Sequence, residues 1–331
     1  MIPTRTARTL FSAAVLTIAA HALSAQATKR PMSIDDIMAI RNAGGVAISP
    51  NGSQVAFTVS GWEHPNAKGD TAKGDKHDVR GHIWLVPADG SRPARQLTFS
   101  ERGESAPAWS PDGSTLSFTS ARGTAAAGQD APRSQLYLLP IAGGEAEKLT
   151  DAKEGVNGYV WSPDGSAIAF LSNDSLPKDE EARRARRDDP QTFEGDMRFS
   201  HVWVFDMATR KARELVHSTQ YTVSGAPAWS ADGKRLTYLT VPTTLTRDER
   251  RTAFIATVAT GATSPIDAGA AIEGTPQWSP DGSTLAFTTL AQAHKPHGDG
   301  MMEREQRSAH LTLFDVASGK ARDVYDAKQY D

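Results

Sequence analysis

One tetrapeptide recurs five times along the chain: Ser49-Pro50-Asn51-Gly52, Ser110-Pro111-Asp112-Gly113, Ser162-Pro163-Asp164-Gly165, Ser230-Ala231-Asp232-Gly233 and Ser279-Pro280-Asp281-Gly282. A tryptophan directly precedes each of the last four: Trp109, Trp161, Trp229 and Trp278. Serine first, proline second and glycine fourth are what a type I β-turn asks for. Proline presets φ, the Asx side chain bonds the local backbone, and glycine takes the left-handed corner. An apolar stretch follows every copy: Val55-Ala56-Phe57, Leu116-Ser117-Phe118, Ile168-Ala169-Phe170, Leu236-Thr237-Tyr238 and Leu285-Ala286-Phe287. Five hairpins of one design with the same flanking aromatics are a repeat array, against the alternative of an ordinary β-sandwich with coincidental turns.

The rest of the unit repeats as well. Alternating strands begin at His82-Ile83-Trp84, Gln135-Leu136-Tyr137, His201-Val202-Trp203, Ala253-Phe254-Ile255 and His310-Leu311-Thr312. Turns such as Ala88-Asp89-Gly90 and Ala142-Gly143-Gly144 lead into short returning strands ending in Gln96-Leu97-Thr98, Lys148-Leu149-Thr150 or Glu214-Leu215-Val216. Two hairpins per unit make four strands, the content of one β-propeller blade. The serine-to-serine spacings are 61, 52, 68 and 49 residues, so the longer units carry insertions. The fold expected is all-β, a propeller of about five four-stranded blades. Five such units read as an open arc rather than a closed ring, which makes the sequence a fragment of a longer protein; a closed five-bladed ring is the rival.

At the N-terminus Arg5 and Arg8 precede an apolar run from Leu10 to Leu23, and Ala25-Gln26-Ala27 offers small residues to a signal peptidase. The run falls short of the roughly 20 residues that span a bilayer, so cleavage and export to a periplasm or the exterior are expected. With no cysteine, there is neither a lipoprotein attachment site nor a disulfide. Ser33-Ile34-Asp35-Asp36 matches a helix capping box, with Gly44 and Gly45 expected to stop the helix and Ile34, Ile37 and Met38 to rest on the first blade. The organisation expected is a signal peptide over 1–27, a lead-in helical segment over 28–43 and a propeller over 44–331, with blade units starting near 44, 105, 157, 225 and 274.

Catalytic patterns are sparse. A Gly-x-Ser-x-Gly nucleophile elbow is absent, and the five repeated serines are needed by their own turns. Gly69 to Lys76 has phosphate-loop glycine spacing, but Asp75 sits where the lysine belongs. His294, His297 and Asp299 cluster in a proline- and glycine-containing loop, which falls short of the four ordered ligands that structural zinc wants. No cofactor and no metal centre are expected. Five positive and five negative residues cancel between Lys178 and Asp189, and the net charge of −3 gives no case for nucleic acid or an anionic membrane. In that run Asp179 faces Arg183 and Glu180 faces Arg184 at helical spacing, which reads as a solvated, ion-paired helix ended by Pro190.

With the repeats, the charged insertion and the export signal in hand, the chain resembles the N-terminal propeller of the prolyl oligopeptidase family of serine peptidases, nearest its acylaminoacyl-peptidase and dipeptidyl-peptidase-like bacterial branch. The stretches that carry the resemblance are Ile34-Asp35-Asp36-Ile37 leading to Gly44-Gly45-Val46-Ala47-Ile48-Ser49-Pro50, the Trp-Ser-Pro-Asp-Gly repeats, and Asp188-Asp189-Pro190 followed by His201-Val202-Trp203-Val204. The resemblance implies a following α/β-hydrolase domain with a Ser-Asp-His triad beyond Asp331, and a propeller that admits short peptides to it. It also implies an acidic pair on an insertion that holds a substrate amino terminus, for which Glu180 and Glu181, the only adjacent glutamates, are the candidates. The tryptophan repeat also occurs in Tol-system propellers and in propellers fused to amidohydrolases, so a non-enzymatic periplasmic binding propeller and an amidohydrolase partner stand as alternatives.

Overall fold

The computed structural model describes residues 30–63, 78–123, 132–175, 177, 182, 186, 198–242, 251–292 and 307–326. Five four-stranded antiparallel sheets follow one another along the chain. Blade I comprises β1 (Arg41–Ile48), β2 (Gln54–Glu63), β3 (Asp78–Pro87) and β4 (Arg95–Gln96). Blade II comprises β5 (Glu104–Trp109), β6 (Thr115–Ser120), β7 (Gln135–Pro140) and β8 (Glu147–Lys148). Blade III comprises β9 (Gly158–Trp161), β10 (Ala167–Asn173), β11 (Ser200–Asp206) and β12 (Lys211–Val216). Blade IV holds β13 (Thr222–Trp229), β14 (Arg235–Val241), β15 (Thr252–Thr257) and β16 (Thr263–Ile266), and blade V holds β17 (Ala271–Trp278), β18 (Thr284–Gln292), β19 (Arg307–Asp315) and β20 (Lys320–Asp326). Strand neighbours follow chain order in every sheet, the meander of a propeller blade.

The repeated turn is built identically five times. In each, the glycine N–H donates to the serine carbonyl at 2.8–3.0 Å, closing a four-residue turn. The serine hydroxyl accepts from the backbone amide five residues on, at 2.9–3.0 Å. It donates to the Asx side-chain oxygen at 2.5–2.8 Å. That oxygen also accepts from the amide two residues later, at 3.0 Å in every copy. Gly52, Gly113, Gly165, Gly233 and Gly282 have φ between +67° and +72°, a region any Cβ disfavours.

The core lies between blades. Among the described residues four buried clusters are present, and each draws its residues from two consecutive blades. Ile83, Leu85 and Ala56 of blade I meet Leu116 and Phe118 of blade II. Leu136 and Leu138 of blade II meet Ile168 and Phe170 of blade III. Ala169, Leu171 and Val202 of blade III meet Leu236 and Tyr238 of blade IV, and Leu239 and Ile255 of blade IV meet Leu285 and Phe287 of blade V. Successive side chains of a strand point to opposite faces. In β10, Ile168 and Phe170 therefore face backward while Ala169 and Leu171 face forward, which is why Ala167 to Leu171 is apolar without interruption.

Tryptophan fastens one blade to the next. The indole Nε1 of Trp109 donates to Ala47 O at 3.1 Å, that of Trp229 to Val160 O at 3.2 Å, and that of Trp278 to Ala228 O at 3.1 Å. Each acceptor lies on the first strand of the preceding blade, a strand with no hydrogen-bonded neighbour on its other side. Blade III is the variant: Trp161 Nε1 donates to Ser117 Oγ at 2.8 Å, and that hydroxyl donates to Ala108 O at 2.9 Å. Ile48 occupies the corresponding position in blade I.

The helix α1 (Ile34–Met38) has the expected capping box: Ser33 Oγ accepts from Asp36 N, and Ser33 N donates to the Asp36 carboxylate at 2.8 Å. None of its residues is buried, and Ile34 is 78% exposed. Its end differs from the sequence expectation. The helix stops at Met38, and Gly44 and Gly45 lie inside β1, which starts at Arg41. The reason is a repeating strand irregularity. Gly45 has φ +55°, Ala106 +52°, Gly225 +76° and Gly274 +76°, and in blades II, IV and V the first strand shifts register over these residues. The glycines serve a left-handed step in the strand. The returning strands of blades I and II are also shorter than expected, with Leu97-Thr98 and Leu149-Thr150 lying just beyond them.

Candidate functional face

The strand order puts the Ser-Pro-Asp-Gly turns at one end of each sheet. The connections from second to third strand, residues 64–77, 121–134, 174–199, 242–251 and 293–306, leave from the opposite end. The strand ends from which these connections leave therefore lie on the side away from the turns, and loops on a rigid scaffold are where binding residues concentrate. The predicted phosphate-loop-like stretch Gly69 to Lys76, the pair Glu180 and Glu181, and the trio His294, His297 and Asp299 lie outside the described residues. Of the charged run, Ala182 and Arg186 are described, and Arg186 N donates to Ala182 O at 3.3 Å, one helical turn.

Charged groups line the same face where blades adjoin. Between blades I and II, Glu104 has a fully buried side chain, with His82 Nδ1 at 2.9 Å from one oxygen and the Arg122 guanidinium at 2.7 Å from the other. Burial alone would raise the Glu104 carboxyl, but hydrogen bonds from Ser100, His82 and Thr98 and the charge of Arg122 together hold it below its ordinary value. His82 Nε2 reaches Glu63 at 3.2 Å, and Arg122 lies over the Phe118 and Tyr137 rings at 5.1 and 4.7 Å. Between blades II and III, Glu154 meets Arg198 at 3.1 Å and Arg133 at 3.9 Å. Between blades IV and V, Arg251 meets Glu273 at 2.6 Å. Glu104 and Glu273 both stand five residues before a repeat tryptophan. These acids are ion-paired joints of the scaffold.

A cleft of about 450 Å³ opens between blades II and III, with Phe170, Trp203 and Phe205 as an aromatic wall and Thr150, Glu154 and Asn173 as polar lining. At the end of blade III, Asp174, His201 and His217 come together: His201 Nε2 is 2.7 Å from Asp174 Oδ1, and the two imidazole rings stack at 4.4 Å. Sequence reasoning missed this group. Its members are far apart in the chain, and only the pairing of β10 with β11 and of β11 with β12 aligns them. The histidines His82, His201 and His217 face carboxylates, and the five turn serines are occupied within their turns. Nothing in that arrangement makes a serine nucleophile among the described residues.

No family model matches the chain. In sequence it is 29% identical over 227 residues to the uncharacterized peptidase YuxL of Bacillus subtilis, covering 63% of this chain and 31% of that protein. It is 26% identical over 152 residues to dipeptidyl-peptidase 5 of Porphyromonas endodontalis, covering 46% of this chain and 19% of the relative. In fold it superposes on a puromycin-hydrolyzing peptidase of Mycobacterium tuberculosis with a TM-score of 0.55, at 14% identity, over 86% of this chain and 38% of that one. The chain is a β-propeller related to peptidases. The resemblance to the prolyl oligopeptidase propeller accords with both kinds of comparison, and the chain spans less than a third of the length of the curated relatives it matches. A TolB protein from Agrobacterium tumefaciens is also similar, with a TM-score of 0.50 at 16% identity over 86% of this chain and 81% of that one. That likeness is one of fold.

Proposed function

We propose that this chain is the substrate-admitting propeller of an exported serine peptidase that cleaves short peptides, its Ser-Asp-His triad carried by an α/β-hydrolase domain beyond residue 331. The sequence match to YuxL supports this reading most directly, because it extends over 227 residues of a repeat chain. The chemistry would be acyl transfer, with a serine activated by histidine and an oxyanion hole of backbone amides. The propeller's part is access: its mutually fastened blades admit extended peptide and turn folded protein away. Glu180 and Glu181 are the candidates for holding a peptide amino terminus.

Two measurements test the proposal. The coding sequence downstream of Asp331 should hold Gly-x-Ser-x-Gly followed by aspartate and histidine. A stop codon there favours a periplasmic binding propeller, and a His-x-His metal pattern favours an amidohydrolase. A fluorophosphonate probe should leave the 331-residue chain unlabelled, and labelling of any serine within it would overturn the assignment of chemistry elsewhere. In the full-length peptidase, the E180Q/E181Q double variant should lose activity on peptides with a free amino terminus while retaining it on blocked ones. Equal loss on both removes the proposed role of the pair.

A further inference from the structure

We propose that the Asp174, His201 and His217 group is a binding site for a divalent transition-metal ion of the zinc class. One ring nitrogen of each histidine and one oxygen of Asp174 lie within 4.8 Å of one another. The three come from successive strand ends of blade III: Asp174 follows β10, His201 is the second residue of β11, and His217 follows β12. Paired strands hold them in place. Asp174 N donates to Phe199 O at 2.9 Å, and Phe199 N donates back to Asp174 Oδ2 at 3.3 Å. Val202 stands opposite Val216, which sets His201 and His217 side by side.

The donor set selects the ion. Two imidazoles with a carboxylate suit zinc and its neighbours, whereas calcium and magnesium call for oxygen ligands throughout. A fourth group is at hand in Glu214, whose Oε1 lies 3.0 Å from His217 Nδ1. A carboxylate in that position orients a ligating histidine and raises its basicity, or completes the set itself. Two carboxylates beside the two imidazoles supply negative charge for a divalent cation to neutralise. The adjustable member is also the exposed one. His201 is 3% exposed and anchored by Asp174, while His217 is 56% exposed and free to turn from its stacked position until its lone pair meets that of His201. On binding at His201 Nε2, the ring proton moves to Nδ1, and the long 3.4 Å contact from Ser218 N is given up. An ion there would tie together the ends of three strands.

The test uses the untagged 331-residue chain. Equilibrium dialysis with zinc near neutral pH should reach one equivalent and raise the thermal midpoint. Cobalt(II) at the same site should give visible absorption bands. His217→Ala should keep the metal-free thermal midpoint, since the residue is over half exposed, yet lose at least about tenfold in zinc affinity together with the cobalt bands. Asp174→Asn should lose comparably, and Glu214→Gln by a smaller factor. Absence of saturable binding, or undiminished affinity and an unchanged cobalt spectrum in both His217→Ala and Asp174→Asn, overturns the proposal.

Discussion

Replacing Trp229 with phenylalanine isolates the fastening role of the indole. Trp229 is 9% exposed and packs in the cluster shared by blades III and IV, so the ring has two separable jobs: filling space and donating to Val160 O at 3.2 Å. Phenylalanine keeps most of the packing and removes the donor. The lost hydrogen bond is worth about 1 kcal/mol net, and a carbonyl at an inner strand edge left short of a partner adds about 1 kcal/mol more. The smaller ring leaves a void worth another ~1 kcal/mol. W229F should therefore cost about 2–3 kcal/mol, read as a lower urea midpoint at unchanged m-value. W278F should behave alike. W161F should cost less, because its acceptor is the Ser117 hydroxyl, which lies 2.9 Å from Ala108 O and 3.0 Å from the Tyr159 hydroxyl and so keeps both contacts. A W229F midpoint within error of the parent, or an equal cost at all three positions, would refute the fastening argument.

Three further outcomes follow from the same geometry. The turn aspartates Asp112, Asp164, Asp232 and Asp281 are held below their ordinary value by the serine hydroxyl first and then by the backbone amide, Asp281 at about 2. A depressed folded value means stability that is present above the unfolded value of 3.8 and is lost as pH falls toward about 2, so the thermal midpoint should drop over that window. The D164N/D281N double variant should show a shallower drop, Asn51 being nature's example of a turn that does not titrate. Ala106 sits at φ +52° where blades I, IV and V use glycine, so A106G should raise stability by about 0.5–1 kcal/mol in urea titration, and a loss would contradict the strain argument. E104Q withdraws the charge facing His82 and Arg122 from a fully buried position and should cost about 2–3 kcal/mol by the same titration.

The blades were legible in the sequence because the information for each hairpin is local. Serine, Asx and glycine complete their hydrogen bonds within six residues, so the turn could be read from four letters and the following strand from its apolar pattern. The role of tryptophan was invisible for the opposite reason: Trp229 finds its acceptor 69 residues away, in another blade. Paired glycines after a capping box are a common helix stop, and by sequence alone Gly44 and Gly45 have that look. Only comparison with Ala106, Gly225 and Gly274 shows them to be part of a repeated left-handed strand step. In the sequence, histidines stand close together at His294 and His297. The group that the structure assembles is instead spread over Asp174, His201 and His217 and joined by strand register.

The indole bonds all point the same way, from each blade back to the one made before it. A ribosome delivers polypeptide amino end first, so every acceptor carbonyl is already out when its tryptophan emerges. Assembly can then proceed as a ratchet, each newcomer locking onto finished work and none waiting for a later arrival. Because each of these acceptors is a main-chain carbonyl at the same place in a first strand, exchanging two neighbouring blades in the gene would still offer each newcomer a carbonyl of the same kind.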